Sequence, residues 1–151
     1  MVPPVAAGQP TPSSRRVSEQ MARVATRDTQ PEMELRRQLH RRGLRYRVDV
    51  SPHPSVRGRA DVVFGPARVA VYVDGCFWHS CDEHGVVPKS NREWWRAKLK
   101  RTVERDRATE RVLRALGWEV VRVWEHEDPV EAADRVDAVL AEQTAMRRRS
   151  A

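Results

Sequence analysis

Cysteine is scarce in this chain: Cys76 and Cys81 are the two among 151 residues. Two thiols so close together cannot make the disulfide framework of a small secreted domain. In a reducing compartment they serve better as thiolate metal ligands. No apolar run approaches the roughly 20 residues that span a bilayer, so no membrane helix is expected. The opening Met1–Gly8 stretch has no basic segment followed by a long apolar core, and no secretory signal is predicted. Internal repeats are absent. Acidic residues are outnumbered, 21 against 28 Lys and Arg, for a formal net charge of +7 and a pI near 10.4. A balance of this sign favours a polyanionic partner, nucleic acid above all, because neutralised phosphates release counterions.

The length suits one domain with its own core. Residues 1–18, rich in Pro, Ser, Gly and Ala, are expected to be a disordered N-terminal segment. Residues 19–146 are expected to form the folded domain, and 147–151 a basic tail. A first helix should start near Thr29, with Pro31 and Glu32 in its opening turn. Met33, Leu35, Leu39 and Leu44 supply its apolar side, and Gly43 stops it. Leu44–Val50 alternates like a half-buried strand. The apolar runs Ala60–Phe64 and Arg68–Asp74 read as two buried strands joined at Gly65-Pro66. A loop from Gly75 to about Ser90 follows. A long charged helix is predicted over Asn91–Leu116, with Leu99, Val103, Val112, Leu113 and Leu116 on its apolar face and Gly117 at its end. Trp118–Trp124 reads as another strand, and Asp128 caps a last helix from Pro129 to about Met146. The order α, three strands, loop, α, β, α predicts a mixed α/β sheet flanked by helices, with hairpin-like first strands and a helical crossover to the last.

Three sets of residues carry chemistry. The stretch from Gly75 to His84 packs two thiols, two imidazoles and the adjacent Phe77 and Trp78 into one loop. Cys76, Cys81, His84 and the distant His126 can form a tetrahedral zinc shell, with Glu83 competing with His84 as third ligand. The alternative is a pair of buried free cysteines beside unrelated histidines. The second set is oxygen-rich. Asp61 lies inside an apolar run, where a lone carboxylate is costly unless a divalent cation neutralises it. Asp74 ends the next strand, so the two can face one crevice. His79 can serve as the base that activates water for phosphodiester hydrolysis, and Glu32 can support a water on the cation. The plain alternatives are an ion pair from Asp61 to Arg57, Arg59 or Arg68, a turn role for Asp74, and helix-terminus charge compensation for Glu32. The third set is aromatic: Phe77-Trp78 on the loop, and Trp94-Trp95 beside Lys89, Asn91 and Arg92. Aromatics next to basic groups can stack on bases or wedge between base steps. One of each pair is equally expected in the core, as are Trp118 and Trp124.

The ordered pieces Met21–Thr29, Ala60–Val63, Asp74–His79, Val87-Pro88, Glu93–Trp95, Val103–Asp106 and Leu116–Glu125 resemble the very short patch repair endonucleases, bacterial enzymes that nick DNA beside thymine in T·G mismatches. The resemblance covers about residues 20–126. It implies the restriction-endonuclease-like PD-(D/E)xK fold with a structural zinc. It also implies that Asp61 is the catalytic magnesium ligand, that the Val73 carbonyl is a further metal contact, that His79 is the catalytic histidine and that Glu32 is the helical glutamate. Phe77, Trp78 and Trp95 correspond to the wedge that opens the duplex. The superfamily's acid-x-lysine lacks its lysine here, as it does in the repair family. Asp74 stands where some relatives carry histidine.

The function so implied is magnesium-dependent nicking of double-stranded DNA at T·G mismatches left by 5-methylcytosine deamination. The expected actor is a monomer in the bacterial cytoplasm, associated with the nucleoid and functionally linked to a cytosine-5 DNA methyltransferase. Two alternatives stand beside it. One is a restriction or defence nuclease without mismatch preference; the other is a non-catalytic, zinc-stabilised DNA-binding module. The presence of Asp61, His79 and Glu32 together argues against the latter.

Overall fold

The structure, a computed structural model, describes residues 29–75, 87 and 89–150. Its elements are α1 (Gln30–Arg41), β1 (Arg47–Val50), β2 (Ala60–Phe64), β3 (Val69–Asp74), α2 (Arg92–Ala115), β4 (Glu119–Trp124) and α3 (Pro129–Ser150). This is the expected order.

Helix α1 begins after an extended Thr29, with Pro31 in its first turn, where a missing N–H is harmless. Its inward stripe is Glu32, Leu35 and Leu39, all buried. Met33 falls about 100° off that stripe and is 37% exposed, contrary to the expected apolar side. Gly43 ends the helix with φ +76°. Its N–H donates to His40 O at 3.0 Å, and Leu44 N–H donates to Leu39 O at 3.3 Å. That is a Schellman closure, which needs the left-handed residue that glycine supplies without strain.

The sheet order is β1-β2-β3-β4. β1 and β2 are antiparallel, as are β2 and β3, whereas β3 and β4 are parallel. The first strand is shorter than its alternating pattern predicts. Leu44 and Tyr46 pack on the core ahead of the ladder, and Tyr46 donates its hydroxyl to Arg36 O at 2.9 Å. Within β2 every residue is buried except Asp61, which is half-buried. In β3 the last residue, Asp74, is buried.

The parallel neighbour β4 is reached through α2, a crossover that closes as the first helix does. Gly117 lies at φ +86°, and Trp118 N–H reaches Leu113 O at 2.9 Å. Leu113 and Trp118 then pack in one cluster with Val63, Ala70 and Val120. The sheet-facing stripe of α2 is narrow. Leu99 and Leu113 are buried, whereas Val112 and Leu116, expected on the apolar face, are 41% and 37% exposed.

The other sheet face packs against α1 and α3 through Leu35, Leu39, Ala133, Val136 and their neighbours. Asp128 caps α3, its Oδ1 accepting from Val130 N–H at 2.8 Å and Glu131 N–H at 3.3 Å. That helix runs past Met146 to Ser150. Arg147–Arg149, expected as a tail, are therefore helical. Arg147 donates to Ala67 O and Gly117 O, both at 3.3 Å, tying the helix to the β2–β3 turn and to the end of α2. No helix among the described residues is long and apolar enough to cross a membrane.

Candidate active site

Asp61 sits near the start of β2, beside the C-terminal half of β3. Its Oδ2 accepts the Val73 backbone N–H at 2.6 Å. Burial pushes its carboxyl up to about 7; the Val73 N–H opposes the rise, while the Glu32 carboxyl, with which it shares a hydrogen bond, and Asp74 add to it. Two neighbouring carboxylates repel unless a cation offsets part of their charge, and Arg36 beside Glu32 supplies one such charge. The plain alternative for Asp61, an ion pair to Arg57, Arg59 or Arg68, is not formed among the described residues, and Arg59 pairs instead with Asp49 at 3.4 Å.

Glu32 reaches this point from the first turn of α1. It is 5% exposed and lies 3.4 Å from Arg36 Nη2. Helix-terminus compensation alone would leave such a residue in solvent. Here the helix instead carries a carboxyl inward, towards the strand that holds Asp61.

Asp74 is 5% exposed. Arg122 Nη1 lies 3.2 Å from each of its oxygens. The Arg122 guanidinium also lies over the Tyr72 ring at 4.7 Å, and its Nη2 donates to Asp106 O at 3.2 Å. Burial pushes the Tyr72 hydroxyl up to about 12, against the pull of Arg122. Arg122 escaped the sequence reading. Its one signal was a charge inside the apolar Val120–Val123 run, which an alternating strand explains as a solvent-facing position.

The chain leaves β3 beside the end of β4. Asp74 is the register partner of Trp124, and Glu125 N–H donates to Asp74 O at 3.0 Å. His126 follows two residues after Trp124 and stacks on its ring, centroids 6.4 Å apart and planes 10° apart. Cys76 follows two residues after Asp74 in the sequence. Cys76, Phe77, Trp78, His79, Cys81, Glu83 and His84 lie outside the described residues. Among the described residues, no group of three or more His, Cys, Asp or Glu side chains is arranged to hold a metal ion. The donor chemistry nevertheless suits two different metals. Asp61, Glu32 and the Val73 carbonyl are hard oxygen donors of the kind magnesium takes. His126 stands where the strand after α2 ends, next to the start of the thiol-bearing loop, and imidazole with thiolates suits zinc.

Trp95 opens α2 and is half-buried. Trp94 packs edge-on against it, centroids 4.9 Å apart, and Lys98 Nζ lies 5.3 Å from the Trp94 ring centre. The preceding Asn91 takes a left-handed conformation, φ +56°. Asparagine tolerates this better than most residues.

A family model described as "DNA mismatch endonuclease Vsr" matches residues 10–84. The type II nicking enzyme V.NaeI of Lentzea aerocolonigenes is 43% identical over 133 residues, which is 87% of this chain and 78% of that protein. The DNA mismatch endonuclease Vsr of Escherichia coli K12 is 39% identical over 109 residues, 72% and 68% of the two chains. The type II nicking enzyme V.XorIIP of Xanthomonas oryzae is 38% identical over 109 residues, 71% and 77%. These matches are longer than the segment the family model covers, and the chain belongs to the Vsr family of DNA endonucleases.

Proposed function

We propose that this endonuclease nicks one strand of duplex DNA beside the thymine of a T·G mismatch, the lesion left by deamination of 5-methylcytosine. The observation that carries the reading is the meeting of Asp61, Glu32 and the Val73 backbone at one end of the sheet, in a chain of this family. The four-stranded mixed sheet, with helices on both sides, is what a restriction-endonuclease-like core requires.

Asp61, with the Val73 carbonyl and with Glu32 in support, would hold magnesium. When bound, that ion screens the scissile phosphate and acidifies the attacking water. The Val73 N–H fixes the Asp61 carboxylate in orientation. Arg36 holds Glu32 against it. His79 is the acid–base partner that moves a proton at the reacting oxygen. Cys76, Cys81, His84 and His126 would hold a structural zinc that fastens the loop to the sheet, with Glu83 the competitor for the His84 position. Phe77, Trp78 and Trp95 form the wedge, which gains most where the base stack is already weak. The formal charge of +7 supplies the sequence-independent grip on phosphate. A cytosine-5 DNA methyltransferase would generate the lesion and so be the functional partner.

A second reading is favoured by the names of several relatives, which are type II nicking enzymes. It is nicking within a restriction system, without mismatch preference. One experiment separates the two: nicking of T·G and matched duplexes with randomised flanks, with and without magnesium. Cleavage confined to T·G duplexes and to magnesium supports the first reading; equal cleavage of matched duplexes supports the second. No cleavage under any condition sinks both.

A further inference from the structure

Three carboxyl groups gather at the catalytic end of the sheet, and their surroundings differ. Glu32 has Arg36 at 3.4 Å. Asp74 has Arg122, with Nη1 3.2 Å from both oxygens. Among the described residues, the charged groups that bear on Asp61 are the other two carboxyls. Two of the three therefore carry a guanidinium partner, and the third faces like charge.

Arg122 is no loose surface charge. Its guanidinium lies over the Tyr72 ring at 4.7 Å, its Nη2 is anchored on Asp106 O, and its own carbonyl accepts a hydrogen bond from Arg135 Nη2. β3 thus presents Tyr72 and Asp74 to Arg122 on β4, and α2 closes the arrangement from outside. A cation held at so many points stays in place when a divalent ion arrives.

We propose that Arg122 is a positioning residue for the nicking reaction, a built-in counter-cation that occupies Asp74 and withholds that carboxylate from the catalytic cation. The chain's own affinity for a divalent ion is thereby focused at Asp61. The inference rests on the reading above, in which Asp61 carries that ion. Divalent cations select oxygen sites by charge count and ligand number. A freed Asp74 would add a full negative charge beside Asp61 and draw the ion towards the end of β3. Binding would tighten while nicking slowed, an inverse relation that simple loss of structure does not produce.

The test uses the full chain without DNA and Mn2+ as the probe, with bound ion counted by electron paramagnetic resonance. Wild type should bind Mn2+ in a manner lost in Asp61→Asn. Arg122→Gln should bind it about tenfold more tightly or take up a second ion, since one added charge within a few ångströms is worth at least that much. The gain should vanish in Arg122→Gln/Asp74→Asn. Arg122→Lys keeps a positive charge beside Asp74 but loses the stacking on Tyr72 and the Asp106 anchor, so its Mn2+ binding should fall between wild type and Arg122→Gln. Nicking by Arg122→Gln should fall in kcat more than it changes KM. Thermal melts with and without Mn2+ report folding, and the ion should raise the Tm of Arg122→Gln more than that of wild type. A folded Arg122→Gln with wild-type Mn2+ binding overturns the proposal and leaves the role of Asp61 standing. Wild-type binding that survives Asp61→Asn overturns the role of Asp61 and, with it, the proposal that rests on it. Asp74→Asn alone keeps the proposal falsifiable should Arg122→Gln not fold. Withheld from the ion, Asp74 can be lost without weakening Mn2+ binding, so a tenfold weakening there overturns the proposal as well.

Discussion

The backbone N–H of Val73 meets Asp61 Oδ2 at 2.6 Å, so the carboxyl is fixed by the neighbouring strand before any substrate arrives. The same strand end carries Asp74 in its pairing with Arg122. In the proposed reading, the geometry for binding a cation and the restraint on where it binds both come from consecutive residues of β3.

Asp61→Asn should abolish nicking, leave mismatch binding largely intact and stabilise the cation-free protein at neutral pH. Burial and Glu32 lift the folded carboxyl to about 7, against about 3.9 in an unfolded chain. Between those values the native state holds more protons, so stability present below the unfolded value is lost as pH rises through the folded one. Wild type should therefore lose stability between about pH 4 and 7 relative to Asp61→Asn. At pH 8 the variant should melt several degrees higher, since the rise from about 3.9 to about 7 corresponds to as much as about 4 kcal/mol and each kcal/mol moves the Tm of a domain this size by roughly 2–4 °C. Melting curves across pH without divalent ions check the stability, and residual nicking within tenfold of wild type would show that Asp61 is not the ligand.

His79→Ala should slow the chemical step by roughly 10²–10⁴, the usual contribution of a positioned acid–base group. Zinc content and melting temperature should stay at wild-type values. Metal analysis of the purified variant decides the point: loss of zinc together with activity would move His79 into the structural site.

Cys76→Ser and Cys81→Ser should each release zinc and destabilise the fold, because structural metal binding is coupled to folding. Native mass spectrometry should find one zinc in wild type, reduced in occupancy by His126→Ala. A metal-free wild type that is folded and active would rule the site out.

Trp78→Ala should reduce the preference for T·G over matched duplex more than overall binding. Base stacking is worth roughly 1–3 kcal/mol, so the affinity ratio at fixed salt should fall about tenfold or more. The salt slope should hardly change, since phosphate contacts persist. An unchanged ratio would make Trp78 a core residue and leave the wedge to Phe77 and Trp95.

What the sequence made legible was local. Gly43 and Gly117 announced the two helix ends, because only a left-handed residue completes those closures. The uninterrupted apolar runs on either side of Gly65-Pro66 announced the buried hairpin, and Asp128 the start of α3. Met33, Val112 and Leu116 were misplaced because hydropathy marks which residues can be buried, not how wide a stripe the neighbouring layer covers. β1 begins later than its alternation suggests because a strand's length is set by its partner: Arg47 is where pairing with Val63 starts. Asp61 drew notice as a carboxylate in an apolar run, but its hydrogen bond with Glu32 is a matter of how α1 docks on the sheet, which no local pattern encodes. Arg122 went unread for the same reason.

The parallel pairing of β3 with β4 has a bearing on how the site comes into being. Asp61 and Val73 meet within a hairpin closed by a short turn. Arg122 and His126 join them only after the whole of α2 has been traversed and Asp74 has found Trp124. The entropy of closing that long loop must be met before its contacts reward it. The topology therefore predicts that the Asp61–Val73 contact forms with the hairpin, whereas Arg122 and His126 arrive only with the long-range closure through α2.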